Sequence, residues 1–368
     1  MCRPLPAVFA SSVLILSSTA QAVLTVGVGG QFTDLPAAIG AAQPGDRVQC
    51  LGVFQTFTAP TITRGITVLG GGVNALVGPM SIIGVPTGEA VVVQGFLTVG
   101  TPLEISVIDC AGRVHLDDCS TGNTAQLSTP SLQILRSVAV SMHHVTTYGA
   151  PAVSVVDSTL TIDQCRFLSG RSIDALRSTV WISDPHCTPG AIPLSTIFAD
   201  QSTLTITGRS DSRIYRSSFG ATPPPAIEGT NSTLTLSPLV PLFPSAGAIT
   251  GFSPILRDTP FQQVQTRGPG LVTTLTTVGP AGGIGLAGLS APSGLVASPL
   301  GTLWVDPSAL VAYGFVIQPT GLPTGDRHSL DITVPATVPP GSTWTLQGVV
   351  LTSTGIDLTL PSTFTIKN

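Results

Sequence analysis

The sequence predicts an all-β protein: a right-handed parallel β-helix with an N-terminal capping helix, followed by a small β-sandwich. Short alternating segments that begin with serine recur at intervals of 20 to 30 residues through the middle of the chain. Only 9% of residues are charged, whereas glycine and proline number 40 and 32, which favours short buried strands and turns over helices. An apolar content of 42% is enough to build a core and argues against disorder.

The first 22 residues have the layout of a cleavable secretory signal. Arg3 precedes an apolar run over residues 7–16, and small and polar residues ending at Ala22 follow it. We therefore expect cleavage after Ala22 and an extracellular or cell-surface location. No later segment approaches the roughly 18 uninterrupted apolar residues of a membrane span, so no span is expected.

The next segment, "VGVGGQFTDLPAAIGAAQPGDRV", places glycines between a strand and a helix, as a nucleotide-binding turn does. Such a turn requires a G-x-G-x-x-G spacing, which Gly27, Gly29 and Gly30 lack, and a βαβ unit, whereas the following residues are strand-like. Thr33 or Asp34 can cap the helix. Its apolar residues share one helix face: Leu35, Ala38, Ile39 and Ala42. We predict a helix that covers the open end of the β-helix.

The recurrent segments predict the turns of a solenoid, here called rungs. They begin at Ser137, Ser158, Ser178, Ser202 and Ser232. Apolar residues alternate with threonine or serine in each, as expected of strands that bury one face by stacking. Counting five residues from Val114, Val138 and Leu160 reaches Cys119, His143 and Cys165. This count predicts that these three residues stack, with Cys187 following them after a small insertion at Pro185.

The beginning of the chain resembles a known superfamily. The pattern Gly-x-Gly-Gly-x-Phe followed by Ala-Ile and Gly-Asp, then Gly52-Val-Phe and Ile66-Thr-Val-Leu-Gly, is similar to the start of pectin-lyase-like right-handed parallel β-helices. The resemblance covers about residues 23–240 and implies the fold. Related enzymes act on acidic polysaccharides, but the motif is only weakly specific for activity.

A second domain is expected over residues 241–368, after the signal peptide (1–22) and the β-helix (23–240). Its strand-like segments are separated by glycine and proline turns at a spacing typical of sandwiches. The segments "GTLWVDP", "LQGVVL" and "LTLPSTFTI" resemble short C-terminal β-sandwich domains of secreted planctomycete-type proteins. That resemblance implies an appended surface module and no chemistry.

Paired carboxylates at Asp117 and Asp118 are the sharpest candidates for chemistry, because glycoside hydrolysis uses two carboxyl groups. Adjacent residues of a strand point to opposite faces, however, so a turn after a strand is the simpler interpretation. The same argument predicts that only one of His143 and His144 joins a site.

A lyase would require a base and Ca²⁺ held by clustered acids, and Asp163 and Arg166 lie on a neighbouring rung. Under this enzymatic alternative the candidate catalytic residues are Asp117, Asp118, His143, Asp163 and Arg166. Motifs typical of polygalacturonases and pectinesterases are incomplete or missing. Outside this alternative we expect no metal and no cofactor.

Arginines form a basic run at Arg209, Arg213 and Arg216, which could bind the sulfate or carboxylate groups of a glycan. A solvated turn neutralised by Asp211 is the simpler interpretation. The net charge of −4 offers no basic surface for nucleic acid, so no such partner is expected.

Five of the six cysteines follow Ala22, an odd number. Export permits disulfides, and the candidate pairs are Cys110 with Cys119 and Cys165 with Cys187. Buried thiols are an equally compatible interpretation.

These features together predict a secreted, non-catalytic β-helix protein with a structural or glycan-binding role, whose partner is a polysaccharide or a cell-surface component. The alternative is a polysaccharide lyase or glycoside hydrolase that acts on uronate-rich glycans. The two differ in whether the candidate side chains converge in an open groove.

Overall fold

The computed structural model describes residues 21–367 except 100–103, 122–128, 169, 189–193, 209–211, 216–222, 244–247, 254, 257–258, 266–267, 307–309, 321–325 and 354. Residues 1–20 of the predicted signal peptide and two residues of the predicted basic run, Arg209 and Arg216, lie outside this part.

The chain is nearly all β, as predicted: a parallel β-solenoid of about nine turns precedes separate antiparallel sheets. In the described part of the chain the solenoid has two parallel sheets, one of eighteen strands and one of nine. The long sheet contains β1 (Val23–Val26), β2 (Arg47–Cys50), β3 (Thr56–Thr58), β5 (Thr67–Val77), β7 (Ala90–Val99), β9 (Arg113–Asp117), β10 (Ser120–Thr121), β12 (Ala139–His143), β13 (Thr146–Tyr148), β15 (Thr159–Asp163), β16 (Arg166–Leu168), β18 (Thr179–Ser183), β19 (His186–Thr188), β21 (Thr203–Thr207), β22 (Arg213–Tyr215), β24 (Thr233–Leu236), β25 (Leu242–Phe243) and β27 (Ile255–Leu256). The second contains β4 (Thr61–Ile62), β6 (Met80–Ile83), β8 (Ile105–Ile108), β11 (Leu132–Leu135), β14 (Val153–Val156), β17 (Ile173–Leu176), β20 (Ile197–Asp200), β23 (Ile227–Thr230) and β26 (Ile249–Thr250).

The remaining strands are antiparallel. They form a three-stranded sheet, a five-stranded sheet and a hairpin. These are β28 (Phe261–Gln265), β29 (Val272–Val278) and β34 (Arg327–Thr333); β30 (Ile284–Ser290), β33 (Val311–Val316), β35 (Thr343–Thr352), β36 (Gly355–Leu358) and β37 (Ser362–Thr365); and β31 (Pro292–Ser298) with β32 (Gly301–Val305). Val264 and Leu275 of the first sheet share a core with Phe315 and Val350 of the second. Parallel pairing continues to Leu256, beyond the change of sequence pattern near residue 240.

A short helix, α1 (Leu35–Ala41), covers the first rung, as the apolar pattern predicted. Asp34 caps it, because its carboxylate accepts a hydrogen bond from the Ala37 backbone N–H at 3.4 Å. Leu35 and Ala38 are fully buried and belong to the same core as the solenoid interior. The glycine-rich loop therefore precedes a helix that covers the end of the solenoid core.

Serine occupies the start of each repeat for a reason that strand alternation does not reveal. The Ser178 Oγ accepts a hydrogen bond from the Ser158 backbone N–H of the preceding rung at 3.2 Å and donates to the Leu176 carbonyl at 2.7 Å. Ser137, Ser158, Ser202 and Ser232 form the same contacts, which creates a serine ladder along the solenoid. These hydrogen bonds satisfy backbone groups at the bend between the two parallel sheets.

The predicted register of the middle rungs is wrong by two residues. Leu160 pairs with Val140, and Val138 is 49% exposed. The count took Val138 as the inward valine of its rung, whereas the inward valine is Val140, two residues later, which is fully buried. His143 consequently pairs with Asp117 and Asp163 rather than stacking with cysteines.

All five described cysteines, Cys50, Cys110, Cys119, Cys165 and Cys187, are buried free thiols. Of the two interpretations that the sequence left open for the last four, the structure contains the buried thiols and neither candidate disulfide. Cys187 pairs in register with Phe167, two residues beyond the position of Cys165. Cys110 and Cys119 lie at opposite ends of β9, so that strand separates them.

Candidate functional site

A row of six polar side chains lies on the outward face of the long parallel sheet. It occupies one register position in six adjacent strands, β7, β9, β12, β15, β18 and β21, and we call it the polar ladder. Its members are Gln94, Asp117, His143, Asp163, Ser183 and Thr207. Alternation explains this placement, because Val114 and Leu116 of β9 are in the solenoid core while Asp117 points outward. Although they face outward, none of the six is more than 7% exposed.

Hydrogen bonds connect the ladder along the solenoid axis. Gln94 Nε2 donates to Asp117 Oδ2 at 3.0 Å, and His143 Nδ1 contacts Asp117 Oδ1 at 2.9 Å. Ser183 Oγ donates to Asp163 Oδ1 at 2.9 Å. His143 Nε2 is 3.9 Å from Asp163 Oδ2 and, among the described residues, has no hydrogen-bond partner. Hydrogen bonds thus join Gln94, Asp117 and His143 in one group and Asp163 and Ser183 in another, with the His143 Nε2 between the two groups.

The C-terminal antiparallel sheets cover the ladder and explain its burial. Ser362 Oγ in β37 donates to Asp163 Oδ2 at 2.6 Å. Thr207 Oγ1 donates to the Thr259 carbonyl at 2.9 Å. Beside the ladder, the rings of Trp181 and Trp304 meet edge to face with centroids 5.9 Å apart. The polar side chains therefore form an interface between the two parts of the molecule.

Burial and neighbouring charges shift the pKa values of the ladder in different directions. Burial alone would raise the pKa of Asp117, but the charge and hydrogen bond of His143 outweigh it and lower that pKa to about 2. Burial alone would lower the pKa of His143, but the charges of Asp117 and Asp163, with the Asp117 hydrogen bond, raise it. For Asp163, burial dominates and raises the pKa. The Asp117 carboxylate and the His143 ring therefore each favour the charged form of the other.

Strand alternation predicted that His143 and His144 point to opposite faces. In the structure His144 instead lies beside His143. It follows the end of β12 in the left-handed backbone region, with φ of 52°. This bend places the two imidazole rings 3.9 Å apart, centroid to centroid. His144 Nε2 lies 3.2 Å from Gln164 Oε1, and burial together with the charge of His143 lowers the pKa of His144 to about 4.

Three residues at this bend bring potential metal ligands together. Among the described residues, Asp117, His143 and His144 each offer one donor atom, and the three atoms lie within 4.8 Å of one another. Sequence reasoning missed this group because it treated His144 as a strand residue. The same bend has a left-handed backbone at the equivalent positions of other rungs, Asp118, Gln164 and Asp184, and the sequence offers no common residue type that marks it.

The five candidate catalytic residues separate into two groups. Asp117, His143 and Asp163 converge in the buried ladder. Asp118 and Arg166 do not join them: Asp118 forms an exposed ion pair with Lys367 at 3.2 Å, and Arg166 is exposed on β16.

An open polar pocket of about 250 Å³ lies next to His144. Its lining includes Gln164, Arg166 and His186. Arg166, His186 and Arg213 pair in register on β16, β19 and β22, so their side chains form a row along the solenoid, here called the cationic row.

Aromatic rings extend this surface. Arg213 Nη1 donates to the Tyr215 hydroxyl at 3.1 Å, and the Tyr215 ring stacks on Phe243 with centroids 5.3 Å apart. Arg213 is the only member of the predicted basic run within the described residues.

The fold and the ladder define the class of protein: a parallel β-solenoid, consistent with a β-helix superfamily, whose lateral face docks a set of antiparallel sheets. No family model matches the chain, and no curated protein matches it. Within the described residues, no helix has the length and apolar character needed to cross a membrane.

Proposed function

We propose that this chain is a secreted, non-catalytic β-helix protein of the pectin-lyase-like type, with a structural or carbohydrate-binding role outside the cell. The burial of the polar ladder carries the proposal: Asp117 and His143 are 0% exposed and Asp163 is 1% exposed. A lyase or hydrolase needs its acid and base within hydrogen-bond reach of a bound sugar. Here Ser362 of β37 contacts Asp163, where a sugar would have to lie.

The hydrogen bonds of the ladder support a role in docking. Both oxygens of Asp163 accept hydrogen bonds, one from Ser183 of the solenoid and one from Ser362 of the C-terminal sheets. Both oxygens of Asp117 are bonded within the ladder. Buried charges with satisfied partners are suited to holding two surfaces in register.

The cationic row supports binding to an acidic carbohydrate or to a cell-surface component. Neighbouring strands of a sheet lie about 4.8 Å apart, so Arg166, His186 and Arg213 present donors at regular intervals along one line. Guanidinium groups form charge-assisted hydrogen bonds with carboxylates and sulfates. The stacked pair of Tyr215 and Phe243 adds an aromatic surface on which a sugar ring can pack.

A lyase or hydrolase of uronate-rich glycans is the second candidate, and the convergence of Asp117, His143 and Asp163 favours it. Catalysis at these residues would require β37 to move away from the polar ladder. A requirement for Ca²⁺ is expected only under this alternative. Asp163→Asn is its informative variant, because it removes a candidate acid and keeps the shape of the side chain.

The test is retention and turnover of pectin, polygalacturonate and alginate, with and without Ca²⁺. We expect the parent chain to retain a glycan without cleaving it. In the double variant Arg166→Ala/Arg213→Ala, glycan affinity should fall at least tenfold. A tenfold loss corresponds to about 1.4 kcal/mol, which is less than two charge-assisted hydrogen bonds contribute. Arg136→Ala is the matched control, since Arg136 is an exposed arginine paired with Asp109 at 2.6 Å outside the row. Unsaturated or reducing ends that form with the parent chain and disappear with Asp163→Asn would favour the enzyme instead. If the chain neither retains nor cleaves any of these glycans, the result would favour the structural role.

A further inference from the structure

We propose that Asp117, His143 and His144 form a binding site for one divalent transition-metal ion of the zinc type. Their donor atoms lie within 4.8 Å of one another. Zinc binds imidazole nitrogen and carboxylate oxygen at about 2.0–2.2 Å in tetrahedral geometry, which places its ligand atoms about 3.3 Å apart. The Asp117 and His143 donors are 2.9 Å apart and all three donors lie within 4.8 Å of one another, so small side-chain movements would bring them to this spacing.

The hydrogen bonds of the two rings indicate which nitrogen is available to the ion. His144 Nε2 faces Gln164 Oε1 at 3.2 Å, and an amide oxygen only accepts, so Nε2 carries the proton. The lone pair of His144 is therefore on Nδ1. A neighbouring polar group that fixes the tautomer of a ligating histidine is a regular feature of metal sites.

His143 has a corresponding arrangement. Its Nδ1 faces Asp117, and its Nε2 is 3.9 Å from Asp163 Oδ2. An ion between Asp117 and Nδ1 would replace the proton that these two groups share, and the Nε2–H would then face the Asp163 carboxylate. In the present hydrogen-bond network this buried nitrogen has no partner among the described residues. Metal binding gives it a role, as the outer donor of a carboxylate–histidine–metal triad.

The donor set selects the kind of ion. Two imidazoles and one carboxylate suit Zn²⁺, Co²⁺ or Ni²⁺, whereas Ca²⁺ takes six to eight oxygen ligands. Of the three residues, His144 lies at the surface, where it lines the open pocket of about 250 Å³. Three protein ligands leave one position of a tetrahedral ion for water.

The test begins with the full chain, free of affinity tags and dialysed against a chelator. It is titrated with Co²⁺ and followed by visible absorption, and with Zn²⁺ by calorimetry, with the bound metal measured by elemental analysis. We expect one ion per chain, a Co²⁺ spectrum of a low-coordinate site, and no displacement of Co²⁺ by excess Ca²⁺. Absence of Co²⁺ and Zn²⁺ binding, or displacement by Ca²⁺, overturns the proposal.

The decisive variant is His144→Asn, because asparagine tolerates the left-handed backbone at this position while the imidazole is removed. We expect at least tenfold weaker metal binding with an unchanged unfolding midpoint. His328→Asn is the control, a partly buried histidine in β34 outside the group, and it should bind as the parent chain does. Equal metal affinity of His144→Asn and the parent chain overturns the assignment. A loss of metal affinity in His186→Asn as large as that in His144→Asn also overturns it, because the ligands would then lie in the pocket.

Discussion

Ser362 and Asp163 are 199 residues apart in the sequence, yet the Ser362 hydroxyl donates a hydrogen bond of 2.6 Å to the buried Asp163 carboxylate. This contact joins the last strand of the chain to the middle of the solenoid. It also closes the solenoid face that contains the convergent acidic and histidine side chains. The docking of the antiparallel sheets therefore decides whether the polar ladder is an interface or a groove.

Replacing Ser362 with alanine is expected to destabilise the protein by about 1.5–3 kcal/mol, the usual contribution of a hydrogen bond to a buried charged group. The measurement is the free energy of unfolding in urea, followed by tryptophan fluorescence. Trp181 and Trp304 meet across the same interface, so their emission reports its opening.

Ser329→Ala provides the comparison for this prediction. Ser329 is exposed and shares a hydrogen bond of 3.1 Å with Thr276, so its loss should change stability by less than about 0.5 kcal/mol. Equal unfolding free energies for Ser362→Ala, Ser329→Ala and the parent chain would contradict a stabilising contact at Asp163.

The serine ladder makes a prediction about position within a repeat. Ser178→Ala leaves the buried backbone N–H of Ser158 without its acceptor, and we expect a loss of about 1–3 kcal/mol. Ser232→Ala removes the equivalent acceptor, at 2.9 Å from the Ser202 nitrogen, but this end of the ladder is half-buried and water can replace it. Chemical denaturation of both variants should therefore give the larger loss for Ser178→Ala, and a larger loss for Ser232→Ala would refute this account.

The sequence was sufficient for the parts of the fold that depend on local patterns. Alternation predicted the solenoid strands, and the spacing of Leu35, Ala38 and Ile39 predicted the helix over the first rung. Taking Val138 instead of Val140 as the inward valine was enough to assign His143 to the position of the cysteines rather than beside Asp117 and Asp163. Strand register depends on pairing between rungs, and a slip of two residues keeps the same alternation, so the sequence pattern does not reveal it.

The candidate site was predicted only in part, for a different physical reason. Asp117, His143 and Asp163 could be selected from their chemistry, but their burial depends on a contact between β37 and a strand about 200 residues earlier. No local pattern encodes such a contact. The position of His144 depends on a left-handed bend, a conformation that glycine, asparagine and aspartate favour but that none of them requires.

The capping helix is expected to stabilise the solenoid through its buried face. Leu35→Ala should cost about 2–5 kcal/mol, because Leu35 is fully buried in the solenoid core and its truncation leaves a cavity. The unfolding free energy in urea measures this loss. Val28→Ala in the preceding loop, where Val28 is 87% exposed, should leave the unfolding free energy within about 0.5 kcal/mol of the parent value. A loss for Leu35→Ala no greater than that for Val28→Ala would show that the helix does not act as a lid.

The cysteines yield a prediction that separates free thiols from the disulfides that export would permit. Burial raises the pKa of Cys50 and of Cys187 to about 12 and also keeps reagent away from both sulfur atoms, so these thiols are not reactive thiolates at pH 8. We expect no reaction of the folded chain with iodoacetamide. After denaturation without a reductant, Cys50, Cys110, Cys119, Cys165 and Cys187 should all be labelled. Mass spectrometry of the digested protein distinguishes the outcomes. Unlabelled peptides joined through Cys110 and Cys119 would contradict the placement of these residues at β9. Unlabelled peptides joined through Cys165 and Cys187 would require a change of register between β16 and β19, where Phe167 pairs with Cys187.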